Sequence, residues 1–110
     1  MSEKFWVGEV RRRREVFDNL DAYLRRLAKV VCRLDPGCEV YIFGSVVEGR
    51  HLYSSDVDVL VVSDVLRPGE VLAVLWAEGF REPFEVHVVD RASAEAYRRR
   101  ARLKQIHPAK

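Results

Sequence analysis

Residues 57–62, VDVLVV, are apolar on both faces once the chain is past Asp58. Side chains alternate across a strand, so such a segment must be covered on both sides. It therefore reads as an interior strand of a sheet with protein packed above and below. Two further runs supply neighbours. Residues 39–43, EVYIF, are β-branched and aromatic, as strands prefer. In residues 84–89, FEVHVV, Phe84, Val86 and Val88 face one way and Glu85, His87 and Val89 the other.

The intervening segments read as helices. Val16, Leu20, Tyr23, Leu24, Leu27, Val30 and Val31 recur at three- and four-residue steps, which predicts one helix over residues 10–34. Arg11–Arg14 would then open that helix, where positive charge is unfavourable; the helix starts earlier or the arginines have another use. Asp35-Pro36-Gly37 ends it. A second helix begins near Pro68 and stops at Gly79. A last one follows Asp90, with Asp90 or Ser93 as its cap. Trp76 and Phe80 are expected in the core. The order helix, strand, strand, helix, strand, helix predicts an α/β (α+β) domain: a small mixed sheet with flanking helices.

At 110 residues one domain is expected over 1–110, with a core at about 10–92 and a basic helix or tail over 93–110. No apolar run is long enough to span a bilayer, and the N-terminus lacks the apolar stretch of a signal peptide. A cytoplasmic protein is expected. Cys32 and Cys38 have no second pair at metal-ligand spacing, so they read as small buried hydrophobes. A disulfide would suit a hyperthermophile, and the single Asn19 and single Gln105 lean that way. After Asp90 the basic residues Arg91, Arg98, Arg99, Arg100, Arg102, Lys104 and Lys110 face Glu95 alone. That end is either a solvated surface or frayed tail, or a docking surface for an acidic partner or a nucleic acid. It lacks the interleaved aromatics of single-strand binders, so no nucleic-acid partner is expected.

The chemistry gathers at FGSVVEGRHLYSSDVDVL, residues 43–60. Asp56 and Asp58, two residues apart on a strand, share a face. Their charges repel unless a cation lies between them, and a divalent metal is the most economical one. Gly44 permits a tight turn after the first strand. Unbonded N–H groups at the start of the following helical turn, with Ser45 as its cap, form an anion site suited to phosphate. Two carboxylates plus phosphate oxygens is how Mg²⁺ is commonly held. Glu85 adds a third carboxylate. The set describes metal-assisted phosphoryl or nucleotidyl transfer.

Gly44-Ser45, ten residues, then Asp56-Val57-Asp58 resembles the signature of the polymerase-β-like nucleotidyltransferases, in particular the minimal, antitoxin-type branch. The resemblance covers residues 20–90. It implies a nucleotidyltransferase fold, Mg²⁺ (one or two ions) on Asp56, Asp58 and Glu85, and ATP with its phosphates at Gly44 and Ser45. It implies that Glu85 helps to deprotonate the attacking hydroxyl; Asp90 is the rival, placed on the opposite face by alternation. Many small members carry arginines where this chain has Val46 and Glu48, so Arg50 is the residue expected to turn inward and compensate. His87 shares the face of Glu85 and could touch metal or nucleotide or orient Glu85. Tyr53 could stack a base, and His51 is expected to be exposed. Small members often pair with a helical HEPN-type protein as antitoxin and toxin, and the antitoxin can transfer AMP to a tyrosine of its toxin. The resemblance thus implies an adenylyltransferase acting on a partner protein. The alternatives are a non-catalytic antitoxin or nucleotide-binding module, and nucleotidyl transfer to a small molecule. The rest of the site would come from that partner or from a second copy of the chain.

Overall fold

The structure is a computed structural model describing residues 3–110, with side chains from residue 8 onward. Its elements are α1 (Glu3–Asp18), α2 (Leu20–Leu34), β1 (Glu39–Phe43), β2 (Val57–Val62), α3 (Pro68–Ala77), β3 (Phe84–Val89), α4 (Arg91–Arg100) and β4 (Lys104–Ile106). One mixed sheet runs in the order β3-β2-β1-β4. β1 is antiparallel to both β2 and β4, while β2 and β3 are parallel. A parallel pair needs a crossover, and α3 supplies it. As VDVLVV requires, β2 is interior.

Each sheet face has its own apolar cluster. Val40, Ile42, Val57, Val59 and Val61 pack with Leu24, Leu27, Val31, Val71 and Leu75 from α2 and α3. On the other face Tyr41, Leu60 and Val62 pack with Ala94 of α4, joined by Phe43, Val89 and Tyr97. The alternation read for β3 holds: Phe84, Val86 and Val88 join the first cluster and Val89 the second.

The single helix expected over residues 10–34 is two. At Asn19 the backbone turns to φ −126° and ψ 32°. The Asn19 side chain donates to the Glu15 carbonyl at 2.9 Å, capping the end of α1 with the local side-chain bonding that makes asparagine a poor helix-interior residue. α1 begins upstream at Glu3, so Arg11–Arg14 lie within it and the conflict with the helix dipole does not arise. The arginines also have work to do. Arg12 donates to the carbonyls of Gly79 at 2.9 Å and Glu82 at 3.1 Å, tying α1 to the loop before β3.

β4 is absent from the sequence reading, which runs a helix or tail over 93–110. Only Ile106 of its three residues is buried, so it has no period of its own; pairing with β1 makes it a strand. Trp76, expected in the core, faces outward and is stacked by the Arg81 guanidinium at 5.2 Å. Phe80 is buried as expected. Cys32 and Cys38 are free thiols with sulfurs 3.2 Å apart. Burial, followed by the contact with Cys32, pushes the Cys38 thiol up to about 12. Among the described residues, no helix is long and apolar enough to cross a membrane.

Candidate active site

Strand register decides what meets what. Asp58 is paired with Phe43 of β1 on one side and with Glu85 of β3 on the other. Asp58 and Glu85 therefore stand abreast on the α4 face of the sheet, and like charges directly opposite on adjacent strands repel. The arrangement leaves its mark on Asp58. Burial first, then the Glu85 charge, hold its carboxyl above the ordinary 3.8; His87 pulls the other way and Asp56 adds least.

His87 completes the group. Its Nε2 lies 3.6 Å from Glu85 Oε1. One potential ligand atom each from Asp58, Glu85 and His87 fall within 4.8 Å of one another. Two carboxylates and an imidazole nitrogen, with Asp58 half-buried and electrostatically strained, fit a divalent cation. Asp56 is outside this triple. It is exposed, with Oδ1 3.8 Å from the Arg13 guanidinium. That arginine also reaches Glu9 at 3.3 Å and Glu82 at 3.4 Å, and donates to the Ser55 carbonyl at 3.0 Å. It fixes the loop before β2 and is the nearest fixed positive charge on the acid motif. The sequence marked the arginine run as needing a use; nothing local said which arginine would reach Asp56.

The Gly-Ser turn is built against the same carboxylate. Gly44 has φ +80°, and a Cβ there would collide with Asp58 Oδ2. Glycine is needed for the backbone conformation and again for the close approach. Residues 44–49 form consecutive turns rather than a helix. Glu48 N–H donates to the Gly44 carbonyl at 3.1 Å and Arg50 N–H to the Ser45 carbonyl at 2.9 Å. Val46 and Val47 pack against the main core. The turn is thus anchored by apolar side chains rather than by charge. Arg50 is exposed, and its guanidinium pairs with Glu48 at 3.0 Å instead of turning toward the acids.

Asp90 is accounted for elsewhere. Its carboxylate accepts from Ser93 N–H at 2.7 Å as the N-cap of α4, and that bond holds its pKa below the ordinary value. Tyr53 donates to Asp18 at 3.0 Å and lies under the Arg14 guanidinium at 5.4 Å. His51 is exposed but stacks on Phe17 at 5.5 Å. Beside the triple, Phe43, His87 and Tyr97 form an aromatic wall with centroid separations of 5.6–6.4 Å. Phe43 and Tyr97 also line a hollow of about 290 Å³ with Arg100.

Residues 24–107 match the family model described as a nucleotidyltransferase domain. The chain belongs to that family. A crystal structure whose own assignment as a nucleotidyltransferase is provisional superposes with a TM-score of 0.57 at 28% identity, covering 69% of this chain and 88% of the other; it shares the nucleotidyltransferase fold. A second such structure, from Sulfolobus solfataricus, is 19% identical with a TM-score of 0.47 over 90% of this chain and 83% of its own. No curated protein matches the chain. Membership makes this a transferase domain of the kind that handles nucleoside triphosphates with a divalent metal. The matched span contains Gly44-Ser45, the acid motif, Glu85 and β4, and starts after α1.

Proposed function

We propose that this chain is a minimal nucleotidyltransferase that moves AMP from ATP to a hydroxyl on a partner protein. One observation carries the reading: Asp58 and Glu85 are in register on adjacent strands, with Gly44 turned so closely over Asp58 that no side chain fits between them. Asp58, Glu85 and, on the same motif, Asp56 are the carboxylates that would hold Mg²⁺. When bound, the ion neutralises triphosphate charge and draws electron density from the α-phosphorus. The chain's own residues do the rest. Backbone N–H groups around Gly44 and Ser45 bind the terminal phosphates. Glu85, exposed at the sheet's edge strand, takes the proton of the attacking hydroxyl. The oxygen–phosphorus bond forms as the bond to pyrophosphate breaks.

The site is open. The Glu85 side chain is 54% exposed and that of His87 33%, so the acceptor wall would come from another molecule. By the resemblance that molecule is a HEPN-type helical protein, with this chain as its antitoxin. The test is co-expression with the adjacent helical gene product, followed by Mg-ATP treatment and intact mass measurement. The expected result is a mass gain of one AMP on a partner hydroxyl, on a tyrosine. Labelling of a small molecule or an RNA end instead would refute it.

A second reading has its own observation. Val46 belongs to the core and Arg50 to Glu48, so the turn brings no arginine to the phosphates. A non-catalytic module that occludes its partner needs none. A stable complex without any mass gain on the partner would decide for it.

A further inference from the structure

Membership of the family accounts for carboxylates at the metal, but not for the imidazole beside them. We infer that His87 is a metal ligand, and that it makes this site select a transition-metal divalent cation over Mg²⁺. The inference rests on the reading of Asp58 and Glu85 as metal ligands.

His87 is opposite Leu60 in the register, one step deeper than the Asp58–Glu85 pair. Residues 85 and 87 share a face, so the imidazole has only to lean back along the strand. It does so, with Nε2 3.6 Å from Glu85 Oε1 and a ring nitrogen within 4.8 Å of an oxygen of each of Asp58 and Glu85. The ring is held from the side. Phe43 lies 5.6 Å away, tilted at 51°, and Tyr97 lies 6.4 Å away. These walls restrict the imidazole to the side of the carboxylates and shield it in part from water. A histidine present only to fill space would not need a nitrogen aimed at two acids.

Ligand chemistry then sets the preference. Mg²⁺ is hard, dehydrates reluctantly and takes oxygen ligands. An imidazole nitrogen adds little for Mg²⁺ and much for Co²⁺ or Zn²⁺, with Mn²⁺ intermediate. An O,O,N set should therefore bind Co²⁺ and Mn²⁺ more tightly than an all-carboxylate site would, while its Mg²⁺ affinity stays the same. A role in orienting Glu85 alone would predict no such selectivity.

The test uses metal-free protein without nucleotide or partner, so it does not depend on finding an acceptor. Titration calorimetry with Co²⁺, Mn²⁺ and Mg²⁺ is compared for the wild type, His87→Gln and Asp58→Asn. His87→Gln should lower Co²⁺ affinity about tenfold or more, on the scale of outer-ligand losses or above, and leave Mg²⁺ within about twofold. Pulsed EPR of the Mn²⁺-loaded wild type should show coupling to one imidazole nitrogen, a readout that needs no variant, and His87→Gln should abolish it. Absence of nitrogen coupling, or equal losses for Co²⁺ and Mg²⁺ in His87→Gln, would overturn the inference. If Asp58→Asn abolishes binding of all three metals in that case, the carboxylate site stands and His87 is no ligand. If no metal binds the nucleotide-free wild type, this inference fails, while the reading of Asp58 and Glu85 is decided separately by whether metal-ATP raises the wild-type Tm and not that of Asp58→Asn. Nitrogen-coupled Mn²⁺ with no nucleotidyl transfer to any partner would sustain this inference and count against the proposed activity.

Discussion

Asp58→Asn separates the two things this residue does. Its charge destabilises the metal-free fold and, in the proposed function, holds the metal. At 4.8 Å, repulsion between two unit charges is about 1 kcal/mol in water and about 3.5 kcal/mol at an effective dielectric of about 20. Glu85 is half exposed, with 54% of its side-chain surface open, and His87 offsets part of the repulsion, so the lower value applies. Asparagine keeps the volume and loses the charge. In EDTA-treated protein the variant should gain about 1 kcal/mol, a rise in Tm of about 4 °C for a chain of this size. The pH dependence has a definite sign. Burial and Glu85 raise the Asp58 pKa above 3.8. The protonated form is therefore favoured in the folded state, and its contribution is present below pH 3.8 and lost as pH rises through the raised value. The gap between variant and wild type should vanish in acid and open on the way to neutrality. With metal-ATP the order reverses. A ligand at 100 times its Kd adds about 2.7 kcal/mol to the wild type, and the variant should gain almost none. Scanning calorimetry from pH 3 to 8, with and without metal-ATP, reads both effects. A variant with lower metal-free Tm and an unchanged response to metal-ATP would refute the assignment of Asp58.

Glu85→Gln keeps the shape and removes the proposed proton acceptor. Turnover should fall about 100-fold or more while nucleotide affinity changes much less, measured by steady-state kinetics beside calorimetric binding. Asp90→Asn should leave turnover within about twofold, because the asparagine still caps α4. Gly44→Ala should cost about 2 kcal/mol or more in urea unfolding, from positive φ and the collision with Asp58; in an Asp58→Ala background only the backbone part should remain. Cys38 should resist alkylation at pH 8 in the folded protein. With its thiol raised to about 12, stability should be full below pH 9 and decline above it, and Cys38→Ser should flatten that decline, as followed by circular dichroism.

Much of the fold was legible because its central elements carry their own periods. VDVLVV states that it is interior, and FEVHVV states which side chains share a face. Gly44 and Asp58 could be read as members of one motif, but their contact depends on three-dimensional placement. Strand β4 is decided by its pairing with β1, distant in sequence, whereas the break at Asn19 follows from its side-chain bond to Glu15 and Trp76 turns outward against Arg81, neither of which the apolar period reports. The triple Asp58, Glu85 and His87 needed register between β2 and β3, and strand alternation supplied half of it. The contact between Asp56 and Arg13 joins residues far apart in sequence and has no local signal.

The basic C-terminal stretch shows what tertiary structure does to a charge run. Arg98 is folded into the domain: it donates to the Tyr41 hydroxyl at 3.2 Å, stacks on that ring at 5.1 Å and reaches Glu95 at 3.5 Å. The carbonyl end of α4 favours positive charge at Arg98–Arg100 in any case. A charge reversal at all three would therefore confound docking with folding. Arg99 and Arg100 are exposed, and Arg100 lines the hollow beside Phe43 and Tyr97, on the sheet face that carries Asp58 and Glu85. If an acidic partner docks beside the site, Arg99→Glu with Arg100→Glu should weaken the complex without moving the Tm, and added salt should weaken the wild-type complex. Arg98→Ala should instead lower Tm by loosening α4 from Tyr41. A partner complex insensitive to Arg99 and Arg100 but broken by Arg98→Ala would mean that the basic run serves the fold and the partner binds elsewhere.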